Sequence, residues 1–317
     1  MNRANPLTRL LGIDHPVLLA PMAGVSGGAL ALAVSRAGGL GLIGGGYGDA
    51  GWLDEQLALC TGERFGVGFI TWALQRQPDL LTLALSGGAQ SIMLSFGDIA
   101  PFAGPIRDAG AVLIAQVQTV EQARNAVTAG AQVIVAQGGE AGGHGGLRGT
   151  MALVPAVVDA VSPVPVVAAG GIADGRGLAA ALMLGATGVL CGTAFYTATE
   201  SIADNRAKLR VLAASGDDTV KSEVFDLVRG LDWPGGPWGL RSLRNEFSQR
   251  WGNDLPGLLS ILDEEQRRYV ISREQGDFDT AAVIAGEAVD LVHAIAPAAD
   301  ILLSLVDRCR EAFACAP

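Results

Sequence analysis

Apolar positions in the first two-thirds of the chain follow two alternating rhythms. Short aliphatic runs occur at 17–20, 40–43, 65–69 and 90–94, and again at 112–116, 133–136, 166–169 and 188–191. Runs this short and this continuously apolar read as strands buried on both faces, as in a parallel sheet. Between them apolar residues recur at helical spacing, as at Leu30, Ala33, Val34 and Ala37, or at Leu178, Ala181, Leu182 and Gly185. Glycines stand where those helices should stop, at Gly38-Gly39, Gly110, Gly130 and Gly185. Eight strands alternating with helices predict an α/β fold, with a closed (β/α)8 TIM barrel fitting the count and an open doubly wound sheet as the alternative.

The rhythm changes after Glu200. Residues 201–277 carry many charges, three tryptophans (Trp233, Trp238 and Trp251) and the turn Trp233-Pro234-Gly235-Gly236-Pro237. They predict a smaller helical domain, inserted in a barrel made of 1–200 and 278–317. Two helices are expected beyond it, separated by Pro297. Ala285, Ala288, Val289 and Val292 share a face of the first; Leu302, Leu305, Val306 and Cys309 share a face of the second.

Composition narrows the function. The chain has 317 residues, 50% hydrophobic and only 5% aromatic, enough for a large aliphatic core. A formal charge of −10 argues against nucleic acid and against anionic membrane surfaces as partners. Four cysteines without metal-ligand spacing read as reduced thiols, and the start Met-Asn-Arg-Ala-Asn-Pro has no apolar leader stretch. No apolar run is long enough to span a bilayer. A cytoplasmic protein is expected, with a homo-oligomer compatible with the sequence.

Candidate chemistry clusters at the ends of the predicted strands. The loop 137–146, Gln-Gly-Gly-Glu-Ala-Gly-Gly-His-Gly-Gly, sets one imidazole and one carboxylate among glycines after the sixth strand. Glycine allows close backbone approach to a ligand, and imidazole titrates near neutral pH, which makes His144 the candidate acid–base group. Glu140 either orients His144 or bonds backbone N–H groups. The other histidines read as structural: His15 precedes a proline and His293 falls in the expected first C-terminal helix. After the first strand, Ala20, Pro21 and Met22 offer a small-residue ledge for a flat cofactor, and Ser26 is placed to cap the next helix. Gly170 and Gly171 follow the seventh strand and open a helix, while the eighth ends in Leu190, Cys191, Gly192 and Thr193. These are the two barrel loops that commonly hold phosphate. A dinucleotide fingerprint would follow the first strand instead, so the phosphate of FMN fits better. With so few polar groups and neither a nucleophile elbow nor metal-ligand spacing, a cofactor must carry the reaction.

Taken together, APMAGVS at 20–26, QGGEAGGHGG at 137–146, AAGGIADGRG at 168–177 and GTAFYTATES at 192–201 resemble the nitronate monooxygenase family, formerly called 2-nitropropane dioxygenases. VFDLVRGLDWP at 224–234 and AGEAVDLVHAIAPAADIL at 285–302 extend the resemblance over almost the whole chain. It implies an FMN-containing barrel with a small helical domain closing over the flavin. His144 would be the active-site base, and Ala20, Pro21 and Met22 would lie against the isoalloxazine. Gln137 and Gly142 would contact the flavin; Gly171, Leu190, Gly192 and Thr193 would hold its phosphate. Gly68 replaces an asparagine common in relatives, Gln116 stands where a lysine can occur, and Gly286-Glu287 replaces a Gly-Gln pair.

The implied activity is oxidation of small alkyl nitronates by O2 to a carbonyl compound and nitrite, small because the predicted rim is Gly, Ala and Met. Two alternatives stand beside it. FMN-dependent enoyl-ACP reductases resemble the chain in the same APMAGVS, EAGGH and AAGGIADGRG segments, and NAD(P)H:quinone reductases share the superfamily, although the chain has no long basic run for an acidic carrier. A non-catalytic flavin-binding sensor would keep the glycine loops without needing His144.

Overall fold

The computed structural model describes residues 5–234 and 238–315; positions 235–237 of the Pro/Gly-rich turn and Met1–Ala4 of the N-terminal segment lie outside the described residues. Nine strands precede residue 192 among the described residues. They are β1 (Val17–Leu19), β2 (Leu42–Gly44), β3 (Gly66–Ile70), β4 (Ser91–Ser95), β5 (Val112–Val117), β6 (Val133–Gln137), β7 (Gly143–His144), β8 (Val166–Ala169) and β9 (Gly188–Cys191). All except β7 form one parallel sheet in the order β1-β9-β8-β6-β5-β4-β3-β2. Leu18 bridges Leu40 in parallel, and Leu19 N–H donates to the Leu40 carbonyl at 2.9 Å, so the first and last strands meet. The sheet is a closed (β/α)8 barrel, which decides against the open doubly wound alternative.

The aliphatic runs explain this closure. Leu18, Leu40, Leu42, Met93, Ile114, Val133, Val135 and Val167 pack together inside the barrel. The alternate residues, among them Leu19, Ile43, Val67, Ile92 and Ile134, pack into the layer shared with the helices. Each such side chain taken from water contributes about 1.5–3 kcal/mol. Leu7 and Leu11 of the helix Pro6–Leu11 join the inner cluster with Ile13 and plug the end from which the strands start. Gly188 makes room for that plug, since a Cβ there would lie 2.6 Å from Leu7 Cδ2. Gly38, Gly110, Gly130 and Gly185 end their helices at φ between 73° and 104°, as their positions predict.

Beyond the barrel the structure departs from the sequence reading in two places. Residues 201–277 were expected to be helical, and helices are there, including Asn205–Ala213, Val224–Val228 and Leu262–Gln275. The same segment also contains β10 (Thr219–Ser222) and β11 (Leu240–Leu243). These form an antiparallel sheet with β7 in the order β10-β11-β7, with His144 opposite Leu240. Val224, Phe225, Val228, Phe247, Trp251, Leu258 and Tyr269 make a separate apolar cluster beside it.

The second departure is the expected helix through 285–292, which is only a 3-10 turn, Glu287–Leu291. Neighbours take its backbone donors: Gly286 N–H donates to Thr193 Oγ1 (2.9 Å) and Glu287 N–H to the Glu140 carbonyl (2.9 Å). His293 therefore follows a turn and lies outside any helix. The last helix, Ala298–Ala314, forms as expected and packs on Gly175–Met183. No helix among the described residues is long and apolar enough to cross a membrane.

Candidate active site

The C-terminal ends of the barrel strands open into one cavity, the position at which barrels build their sites. Ala20, Pro21 and Met22 after β1, Gly68 in β3, Gln116 in β5 and Gln137 at the end of β6 all line it. So do Gly142, His144, Gly170, Gly171, Leu190, Gly192 and Thr193. Cys191 alone among the expected site residues does not. Strand alternation turns its side chain into the helix-facing core, where burial pushes its thiol up to about 12.

The floor fits a flat, phosphate-bearing group. Ser26 does not cap the following helix, whose N-cap is Gly27. Its hydroxyl instead accepts from Met22 N–H at 2.7 Å and locks the Ala20–Met22 ledge. A Cβ at Gly68 would come 2.2 Å from Pro21 Cγ, so nothing larger than glycine fits beneath that ledge. The helix Gly175–Met183 has its first N–H groups already taken by Asp174, which accepts from Arg176 N–H (2.9 Å) and Gly177 N–H (3.3 Å). The anion-binding capacity lies just before it. Gly170 and Gly171 adopt φ of 98° and 70°, and the N–H groups of Gly171, Gly192 and Thr193 donate to no protein acceptor among the described residues. Unsatisfied donors in glycine turns are what a phosphate needs.

His144 is held from four sides. Its backbone pairs with β11. Its carbonyl accepts from Gln137 Nε2 at 3.0 Å, and Gln137 Oε1 accepts from Gln116 Nε2 (3.2 Å) and Gln118 Nε2 (2.8 Å). Lys221 Nζ donates to the Gly145 carbonyl at 2.5 Å and also to that of Gly146, pinning the following loop. The ring itself stacks on Trp233, with centroids 3.5 Å apart and planes 18° from parallel.

On the ring edge, His144 Nε2 lies 2.8 Å from Asp226 Oδ2, with both side chains under a tenth exposed. A carboxylate only accepts, so Nε2 carries the proton and Nδ1 keeps its lone pair. Burial pushes the imidazole pKa below its ordinary value; Asp226 opposes that shift, while Arg229 and Lys221 add to it. The ring is thus neutral at physiological pH, with one nitrogen able to accept a proton. Glu140 takes no part in this pair. Its carboxylate accepts from Thr150 N–H (2.8 Å) and Thr150 Oγ1 (2.8 Å), which settles its role on the backbone at the start of the helix Thr150–Val161.

The rim differs from the small-residue rim expected. Gly, Ala and Met form the floor, but Tyr47, Phe96 and Trp233 stand around the mouth. Trp72 and Trp238 extend the group, with Trp72 5.4 Å from Trp233 and Trp238 5.4 Å from Phe96. Asp226, Arg229, Tyr47 and Lys221 were not singled out from sequence. A signal for two of them existed: Asp226 and Arg229 are the only charges in the helix-forming run 224–229, three residues apart, where a solvent-facing helix would show more.

The profile of the nitronate monooxygenase family matches residues 4–61 and 83–308. A probable nitronate monooxygenase of Staphylococcus haemolyticus is 34% identical over 279 residues, with 72% of this chain and 78% of that protein covered. The (3aS,4S,5R,7aS)-5-hydroxy-7a-methyl-1-oxo-octahydro-1H-indene-4-carboxyl-CoA dehydrogenase of Mycobacterium tuberculosis is 38% identical over 234 residues, covering 71% of this chain and 65% of that protein's length. Among solved structures, FabK from Thermotoga maritima superposes with a TM-score of 0.85 at 30% identity, covering 99% of this chain and 98% of the other. Nitroalkane oxidase from Streptomyces ansochromogenes gives 0.79 at 29% identity, covering 97% and 99%.

Proposed function

The chain belongs to the nitronate monooxygenase family, and from that premise we propose that it is an FMN-dependent enzyme oxidising alkyl nitronates with O2. Two nitronate anions and one O2 balance as two carbonyl compounds and two nitrite ions, each oxygen atom of O2 ending in a carbonyl group. The observation that carries this reading is a buried imidazole whose tautomer is fixed by Asp226, standing beside a cradle for a flat phosphate ester.

Ala20, Pro21 and Met22 would support the isoalloxazine, and the N–H groups of Gly171, Gly192 and Thr193 would hold the phosphate. Bound there, the flavin would supply the electron transfer between nitronate and O2 that no side chain can. The remaining work belongs to the protein. With a neutral nitroalkane, His144 Nδ1 takes the α-proton while Asp226 Oδ2 steadies the imidazolium that forms. With preformed nitronate no proton need move, and the ring only orients the anion. Residues 201–277, which supply Asp226 and Trp233, act as the cover that excludes water.

An NAD(P)H-dependent reductase on the same scaffold is the second reading. It is favoured by the aromatic rim together with the likeness to a carboxyl-CoA dehydrogenase. The test mixes purified protein anaerobically with ethyl nitronate, then separately with NADH and NADPH. Flavin bleaching by nitronate, with nitrite formed once O2 is admitted, is the expected result. Rapid bleaching by a nicotinamide without a nitronate response would replace the first reading by the second.

A further inference from the structure

Among the described residues, one cation lining the cavity has no task assigned above. Lys221 spends its donors on the Gly145 and Gly146 carbonyls, and Asp226 spends Oδ2 on His144. Arg229 also lines the cavity, its side chain only 18% exposed. Among the described residues its Nη1 is buried without a hydrogen-bond partner, and the nearest carboxylate oxygen, Asp226 Oδ1, stands 4.0 Å away and is likewise unpartnered. That separation orients the guanidinium by charge without a hydrogen bond to the carboxylate. With Nη1 buried against Asp226, it is the partly exposed remainder of the guanidinium that a ligand in the cavity can meet.

The surroundings say what kind of ligand. The guanidinium carbon lies 5.5 Å from the centre of the Tyr47 ring, within cation–π range. The Tyr47 hydroxyl accepts from Trp233 Nε1 at 3.2 Å and lies within reach of the Arg229 guanidinium, both of them donors, so its own proton is left to donate. Burial raises the phenol above its usual range, so that proton stays in place at neutral pH. A planar fork and a phenol donor beside a wall of Tyr47, Phe96 and Trp233 suit an anion with two coplanar oxygens on an apolar body.

Resting on the nitronate reading of this cavity, we propose that Arg229, assisted by the Tyr47 hydroxyl, is the anchor for a planar XO2− anion, nitronate or carboxylate, whose apolar part packs on the aromatic rim. His144 then has the substrate's α-carbon presented to it by a charge it does not itself supply.

The test uses the holoenzyme and a redox-inert probe. Sodium propionate and neutral propionamide are titrated against the change in tryptophan fluorescence, and steady-state kinetics are run with propyl-2-nitronate. Wild-type protein should bind propionate at least about tenfold more tightly than propionamide, and propionate should compete with nitronate. In Arg229→Gln, propionate affinity should fall about 30-fold and nitronate KM rise alike, the loss expected for a buried charge-assisted bond, with flavin content unchanged. Arg229→Lys, which keeps the charge without the fork, should fall between them. Equal propionate affinity in all three proteins, or equal loss of propionamide binding, overturns the proposal. Nitronate turnover that ignores Arg229 would refute this anchor and leave the proposed function standing. Arg229-dependent propionate binding without nitronate turnover would do the reverse.

Discussion

Replacing Asp226 by asparagine should separate proton abstraction from everything else the site does. The 2.8 Å contact between Asp226 Oδ2 and His144 Nε2 is buried on both sides, so solvent screens it little. A charge-assisted bond in such a place is worth about 1.5–3 kcal/mol, against roughly 0.5–1.5 for the neutral bond an asparagine could make. The imidazolium formed on proton abstraction thus loses about 1–2 kcal/mol, or roughly 5–30-fold in rate. Where the asparagine amide turns its NH2 toward the ring, the tautomer inverts, Nδ1 gains the proton, and the loss grows toward about 10⁴-fold.

The assay follows nitrite formed from neutral nitroethane and from preformed ethyl nitronate across pH 5–8. Nitroethane turnover should drop by at least the lower figure, while nitronate turnover falls less than about threefold. The acid limb of the nitroethane profile should also move. Asp226 is the largest influence raising the His144 pKa against burial, so its loss moves the limb to still lower pH. Equal losses with both substrates, or a limb that stays put or moves upward, would refute the assignment of His144 as base and Asp226 as its partner.

Trp233→Ala should move the same limb the other way, toward pH 6.5, because it uncovers a ring whose pKa is lowered first by burial; a nitroethane pH profile checks the direction. Gly68→Ala places a Cβ 2.2 Å from Pro21 Cγ, and should cost about 1–3 kcal/mol as overpacking and lower flavin content, read by thermal melts and absorbance at equal protein. His144, with its pKa depressed in the folded state, contributes stability above the unfolded value near 6.5 that is lost as pH falls toward the folded value. His144→Gln should therefore show a smaller drop in melting temperature between pH 7 and pH 5 than the wild type.

Each of the barrel's eight strands was legible because it is a continuous aliphatic run that has nowhere to go but between two apolar layers. The floor of the site was legible for a related reason: glycines after strands, such as Gly171 and Gly192, are conspicuous when other side chains vanish. The partner of His144 was not, because Asp226 lies 82 residues away and reaches it only through the pairing of β7 with β11. A two-residue strand containing one glycine has no period to detect. Residues 285–292 misled because an amphipathic pattern gives the face that is buried, and does not reveal that Glu140 and Thr193 have claimed the backbone donors of Glu287 and Gly286. The expectation of a small-residue rim failed similarly, since Tyr47, Phe96 and Trp233 come from three separated loops and converge only in space.

The pairing of His144 with Leu240 ties the history of the two halves of this protein together. The barrel supplies the floor and the cradle from its own strand ends. The carboxylate opposite the imidazole, the indole stacked on it and the Arg229 guanidinium all come from a single excursion of the chain, residues 219–243, while Tyr47 and Phe96 are supplied by the barrel's own loops. A lineage can therefore exchange that excursion and obtain a different proton affinity and a different guest while leaving the floor untouched. Relatives that share the floor need not share a reaction, and comparing residues 219–243 between them should sort the family by chemistry more sharply than comparing the glycine loops.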